Sequence, residues 1–272
     1  MLVGNILTMD AVNHRALLIG LGKQQDKTWG MIHGDRDIVY MEKMLKDAGY
    51  KDIISLKNER ATKNEIVRQF RELAKRCRKG DIVYIHYSGH GQLMTDLNGD
   101  ESRKWQGKKH AEWDEAWIPY DAYMYYGTND KGEKHLCDDE VNILLKAIRD
   151  KIGKSGELTV AIDACHSGDA TSGAEEECIR GVDVKFQIPR NGNVTSAEPL
   201  QEQWLTISAC KPFQLATEMK DLNVGKLTYA LYSLGNQMFR MDKNMLQKSL
   251  QQFMDMNKGR MPQSPVVSGY KK

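Results

Sequence analysis

Long apolar runs, paired cysteines and an excess of either charge are missing from this chain, and each absence removes a class of protein. No stretch of about 18 apolar residues occurs, so no membrane span is predicted. The five cysteines (Cys77, Cys137, Cys165, Cys178, Cys210) are an odd number with no C-x-x-C pair. In a chain of 272 residues that pattern argues against a disulfide framework and for a reducing compartment. The net charge is +2, from 39 basic and 37 acidic residues, which gives nucleic acid or an anionic membrane no general support as partner. The basic stretch RQFRELAKRCRKG (Arg68 to Gly80) reads as the exposed side and last turn of a helix, where positive charge suits the helix dipole. No repeat or low-complexity tract is visible. The opening MLVGNILTMDAVNHR shows neither the basic nor the apolar region of a signal peptide, so the expected location is cytoplasmic.

Short apolar runs alternate with helical patterns, the sign of βαβ units and a parallel sheet. Strands are expected at Arg15 to Gly22, Asp52 to Leu56, Asp81 to Ser88, Glu157 to Ala164 and Trp204 to Cys210, with SPVVSG as a last one. DIVYMEKMLKDAG carries Ile38, Met41, Met44, Leu45 and Ala48 at helical spacing and stops at Gly49. Thr62 with Glu65 forms a capping box for a helix running to about Cys77. Further helices are expected in DDEVNILLKAIRDKIG, from Leu227 to Phe239 and from Asn244 to Met256. Two long segments, Gly91 to Trp113 and Gly168 to about Gln201, read as irregular. Loops of such length are usually functional.

Both loops begin just after a strand that ends in a chemically competent group. The fourth strand runs TVAIDACHSGD, with Cys165 at its carboxyl end, and the third ends HYSGHGQ, with His90 between two glycines. Ligands of open α/β sheets bind outside the carboxyl ends of the strands, and neighbouring strands lie about 4.8 Å apart. A Cys165–His90 dyad for acyl transfer is therefore permitted. His86 is expected to point into the sheet packing, and His166 away from its neighbour Cys165. A zinc site from His86, His90 and Cys165 would lack a fourth ligand at recognisable spacing.

YIHYSGHG followed at a distance by IDACHSG resembles the His and Cys blocks of the caspase-like cysteine peptidases, nearest the metacaspase and bacterial orthocaspase branch. RALLIGLG, GDRDIVYMEKML, DEAWIPYD, WLTISACKPFQLATE and GKLTYAL extend the likeness over roughly Arg15 to Gly269. The resemblance implies a caspase-like α/β fold, with a mostly parallel central sheet of about six strands flanked by helices. One peptidase domain would span 1–272, with a large-subunit-like part (about 15–180), a linker (about 181–202) and a small-subunit-like part (about 203–272).

The resemblance also implies a mechanism. Cys165 attacks the scissile carbonyl, His90 protonates the leaving amine and later helps water resolve the thioester, and the N–H groups of Cys165 and Gly91 hold the oxyanion. Asp163 lies two residues before the nucleophile, on the same side of its strand, where a carboxylate would attract a cationic substrate side chain. The matching metacaspase position selects Arg or Lys, so protein or peptide substrates with a basic residue at the cleavage point are expected. Asp37, with Asp35 as its rival, and Ser88 match further pocket residues. Family members often cut themselves between their two halves, which makes Arg180, followed by Gly181, the first candidate, with Lys185 and Arg190 behind it. No cofactor is obligatory, but calcium activation is implied, with Asp121, Asp138 and Asp139 at ligand positions. Ser172 replaces a fourth family aspartate, for which Asp169 or Glu175 would have to substitute.

Overall fold

A computed structural model describes residues 12–99, 104–105, 108–109, 113–166, 178–189, 203–212 and 214–270. In chain order the elements are β1 His14–Gly20, α1 Gly34–Asp47, β2 Asp52–Lys57, α2 Lys63–Arg76, β3 Ile82–Ser88 and β4 Gly91–Thr95. Two short strands follow, β5 Lys104–Trp105 and β6 Lys108–Lys109, then β7 Trp113–Trp117, β8 Leu136–Cys137, α3 Asp138–Ile152 and β9 Glu157–Asp163. The last part holds β10 Leu205–Ser208, β11 Glu218–Met219, β12 Val224–Gly225, α4 Lys226–Leu234, α5 Lys243–Met256 and β13 Val266–Gly269.

Six strands form the central sheet in the order β13-β10-β9-β3-β1-β2. All pairs are parallel except β10 with β13. Near-continuous burial of β1 and β3 reflects a sheet covered on both faces. Alternate residues serve opposite cores. Leu17 and Ile19 pack with α2 and α3 on one side. Ala16 and Leu18 pack with α1, α4 and α5 on the other.

Local signals explain most element ends. Gly49 terminates α1 with φ +87, a conformation that favours glycine. Thr62 Oγ1 accepts from the Glu65 N–H at 3.4 Å, so half of the expected capping box forms. The Glu65 carboxylate turns instead to Arg68 and Gln69. Two expectations are corrected. The helix from Leu227 ends at Leu234 rather than Phe239, because Gly235 takes φ +53 and the chain tightens into a 3-10 turn over Gly235–Arg240. The segment from Gly91 is not irregular throughout. Its first five residues form β4, the edge of a small sheet ordered β4-β7-β8.

Candidate active site

Register sets the two candidate residues at the ends of neighbouring strands. Across β3 and β9, Ser88 pairs with Asp163, so His90 and Cys165 each stand two residues past one rung of the ladder, at adjacent carboxyl-end tips. The His90 ring is held from two sides and its backbone from a third. Its Nε2 lies 2.7 Å from the carbonyl oxygen of Gly30, and the Trp29 ring stands 5.2 Å away. Behind it, the Tyr87 hydroxyl donates to the His90 carbonyl at 2.6 Å and accepts from the Ile118 N–H at 2.9 Å. A carbonyl only accepts, so Nε2 carries the proton and Nδ1 holds the lone pair. Nδ1 is buried and has no hydrogen-bond partner among the described residues. Burial lowers His90 to about 4 and raises the Cys165 thiol to about 11. Thiol and imidazole therefore rest neutral together at pH 7.

The site is covered by the chain itself. The carbonyl oxygen of Arg180 accepts from the Cys165 N–H at 3.0 Å and from the Gly91 N–H at 3.2 Å, the two donors expected to hold an oxyanion. Gly91 has no room for a side chain, since a Cβ would lie 2.7 Å from His166 Cδ2. At Gly181 a Cβ would come within 2.6 Å of Cys165 Sγ. Upstream, Ile179 bridges Thr217 in antiparallel fashion, the Arg180 N–H donates to the Ala216 carbonyl at 3.0 Å, and the Glu218 N–H donates to the Cys178 carbonyl at 3.2 Å. Downstream the segment follows β4. The Phe186 N–H donates to Leu93 O at 2.8 Å and Phe186 O accepts from the Thr95 N–H at 3.0 Å, while Gln92 Nε2 donates to Val184 O at 2.8 Å. Phe186 is fully buried in a small apolar cluster with Trp29, Met94 and Ile118. An extended peptide held by main-chain pairing on both sides of one bond is the β-augmentation mode of recognition.

The side chain of Arg180 is fully buried in an acidic pocket. Its Nη1 lies 2.6 Å from Asp37 Oδ2 and 3.6 Å from Asp163 Oδ2, and also donates to Ser88 Oγ. Nε and Nη2 donate to Glu218 Oε1 at 3.2 and 2.9 Å. Gly225 closes one wall, where a Cβ would sit 2.7 Å from the guanidinium carbon. Thr228 supports the acids, its Oγ1 lying 2.7 Å from Asp163 Oδ2 and 3.0 Å from Asp37 Oδ2. Burial raises Asp163 to about 6; Arg180 opposes the rise and Asp37 adds to it. Burial also works against the charge of Arg180, but Asp37, Asp163 and Glu218 outweigh it and hold the guanidinium ionised.

Other expected positions fall elsewhere. Asp35 accepts from Asn58 Nδ2 at 3.1 Å, outside the pocket. His86 stands behind the pocket, 3.2 Å from Thr228 Oγ1, and His166 faces Glu115 at 3.1 Å. Lys185 lies over the Trp113 ring at 4.7 Å, and Arg190 is outside the described residues. Asp121 Oδ1 accepts from the Lys63 N–H at 2.8 Å, while Asp138 and Asp139 open α3 and Asp139 accepts from Asn98. Asp169, Ser172 and Glu175 lie outside the described residues.

Four participants escaped sequence reasoning: the Gly30 carbonyl, Glu218, Gly225 and Thr228. Glu218 had a usable signal, being an acid in the QLATE stretch just past the β10 tip. A backbone carbonyl has none.

The family model described as "Metacaspase, peptidase C14 domain" matches residues 14–172. Curated relatives include Metacaspase-1B of Aspergillus fumigatus, 32% identical over 168 residues, covering 57% of this chain and 36% of that protein. Metacaspase-1B of Neurospora crassa is 30% identical over 168 residues, covering 58% and 34% respectively. The chain thus spans about a third of the length of these relatives. Among solved structures, a Geobacter sulfurreducens protein, GSU0716, superimposes with TM-score 0.65 at 21% identity, covering 96% of this chain and 95% of that one. Caspase-1 from Spodoptera frugiperda gives 0.59 at 11% identity, covering 95% and 86%. The fold is that of the caspases, and the chain belongs to the metacaspase family, peptidase C14 domain.

Proposed function

We propose that this chain is an arginine-directed cysteine endopeptidase whose first substrate is its own Arg180–Gly181 bond. One observation carries the reading: the Arg180 carbonyl accepts from both Cys165 N–H and Gly91 N–H while its side chain fills the acidic pocket. The Cys165 sulfur attacks the Arg180 carbonyl carbon and its proton passes to His90 Nδ1. The oxyanion gains the two N–H donors, each worth about 2.7–4 kcal/mol in comparable sites. His90 then protonates the Gly181 nitrogen, the C–N bond breaks and a thioester remains on Cys165. Water, deprotonated by His90, hydrolyses it and leaves a carboxylate on Arg180. The Gly30 carbonyl, holding Nε2–H, plays the orienting part that an aspartate plays in triads.

Once the segment leaves, the same cleft would take protein substrates with Arg at the cleavage point. Arginine is favoured over lysine because Glu218 meets Nε and Nη2, donors that a single ammonium does not reproduce.

The test is the intact mass of the purified chain beside a Cys165→Ala chain, together with hydrolysis of matched peptides ending in Arg, Lys, Asp or Leu. A cut after Arg180 in the parent alone, and turnover of the Arg peptide, are expected. An uncut parent that turns over no peptide would favour a silent scaffold. Turnover after Asp would remove the pocket assignment and leave the dyad standing.

A further inference from the structure

We infer that the rim of the acidic pocket is a binding site for a zinc-class divalent ion, formed by His33, Cys178 and Glu218. One ligand atom from each (imidazole nitrogen, thiol sulfur, carboxylate oxygen) lies within 4.8 Å of the other two. The three come from distant parts of the chain: His33 caps α1, Glu218 opens β11, and Cys178 belongs to the segment lying over the nucleophile. Cys178 sits two residues before Arg180, so in an extended peptide both side chains face the same way. Both therefore meet Glu218, Arg180 at Oε1 and Cys178 beside the same carboxylate.

Donor type selects the ion. One nitrogen, one sulfur and one oxygen suit zinc, with water as fourth ligand, whereas calcium and magnesium take oxygen alone. His33 Nδ1 lies 2.6 Å from Glu218 Oε2, so the two donor atoms already face each other. A metal would take the Nδ1 lone pair, with the imidazole proton on Nε2, and would displace the proton of the Cys178 sulfur to solvent. Glu218 Oε1 stays engaged by Arg180 and by the His33 N–H at 2.7 Å, which fixes the carboxylate with Oε2 turned to the ion. Charge favours occupation as well. Asp37, Asp163 and Glu218 surround a single guanidinium, so the buried cluster carries surplus negative charge that a divalent cation offsets.

Cys178 is the only ligand of the three on the covering segment, so the ion ties that segment to the pocket rim. A cut after Arg180 leaves Cys178 on the upstream side, still held. The site would keep the upstream product in the cleft and restrain turnover of other substrates. That consequence rests on the peptidase reading; the site itself does not.

The deciding experiment titrates cobalt(II), then competing zinc, into the 272-residue Cys165→Ala chain, which cannot cut and lacks the proposed catalytic thiol. One equivalent bound with a thiolate-to-cobalt charge-transfer band is expected. Cys178→Ser should abolish the band, and Cys178→Ser and His33→Ala should each weaken binding by at least about tenfold, the loss seen even for outer-shell partners. Binding without the band, or a band that survives Cys178→Ser, would overturn the site. Because the readout is metal occupancy in an inactive chain, it fails separately from the peptidase reading.

Discussion

The carbonyl oxygen of Arg180 sits 3.0 Å from the backbone nitrogen of Cys165, so the residue proposed to attack this bond also grips it. Holding the reacting groups in one molecule can supply about 7–11 kcal/mol of a barrier. Self-cleavage should accordingly follow first-order kinetics whose rate constant stays the same over a hundredfold dilution. A rate rising with protein concentration would mean that copies cut each other and would remove the tethered reaction.

Glu218→Gln should change selectivity more than overall function. Hydrogen bonds to charged groups contribute about 1.5–3 kcal/mol, so kcat/KM for an Arg peptide should fall by about 10–100-fold, with a much smaller change for Lys. Equal losses on both peptides would show that Glu218 holds the cleft rather than choosing its occupant.

Removing the guanidinium leaves three buried acids unbalanced. In a Cys165→Ala background, Arg180→Ala should cost about 3–5 kcal/mol, the usual loss when one partner of a buried ion pair is deleted, and Arg180→Lys should cost less. The loss should shrink in acid. Asp163 is raised to about 6 in the folded chain, above its unfolded value of about 3.9. It therefore contributes stability that is fully present below about pH 4 and is lost as pH rises through about 6. Urea midpoints at pH 5 and pH 8 test this, and a larger deficit at pH 5 would contradict it.

The acid limb of self-cleavage should be displaced. Burial lowers His90 to about 4, so the imidazole remains a base well below the ordinary value of about 6.5. The rate of the internal cut should persist through pH 5.5 and fall only toward pH 4. A limb centred near 6.5 would mean that His90 is solvated when the bond breaks.

The alternation of strands and helices was legible because parallel strands covered on both faces leave apolar runs such as ALLIG. The placement of Cys165 and His90 at adjacent strand tips was legible because strand ends are where such sheets place ligands. Glu218 was harder: its role depends on chain pairing between Cys178 and the β11 start, a contact with no local periodicity. The path of 178–188 was invisible for the same reason, since its order comes from partners at 216–218 and in β4. Gly235 ended a helix that the apolar pattern alone carried to Phe239; the glycine outranked the pattern.

Phe186 gives the cut a further meaning. The covering peptide is moored twice, upstream by pairing with Thr217 and Glu218 and downstream by the buried ring of Phe186. Severing the bond between the moorings frees neither end. The nicked molecule should travel as one particle under native conditions and separate into fragments only when denatured. The moment of scission and the moment of opening are then two events, and the interval between them is a delay that can be lengthened or shortened at either mooring.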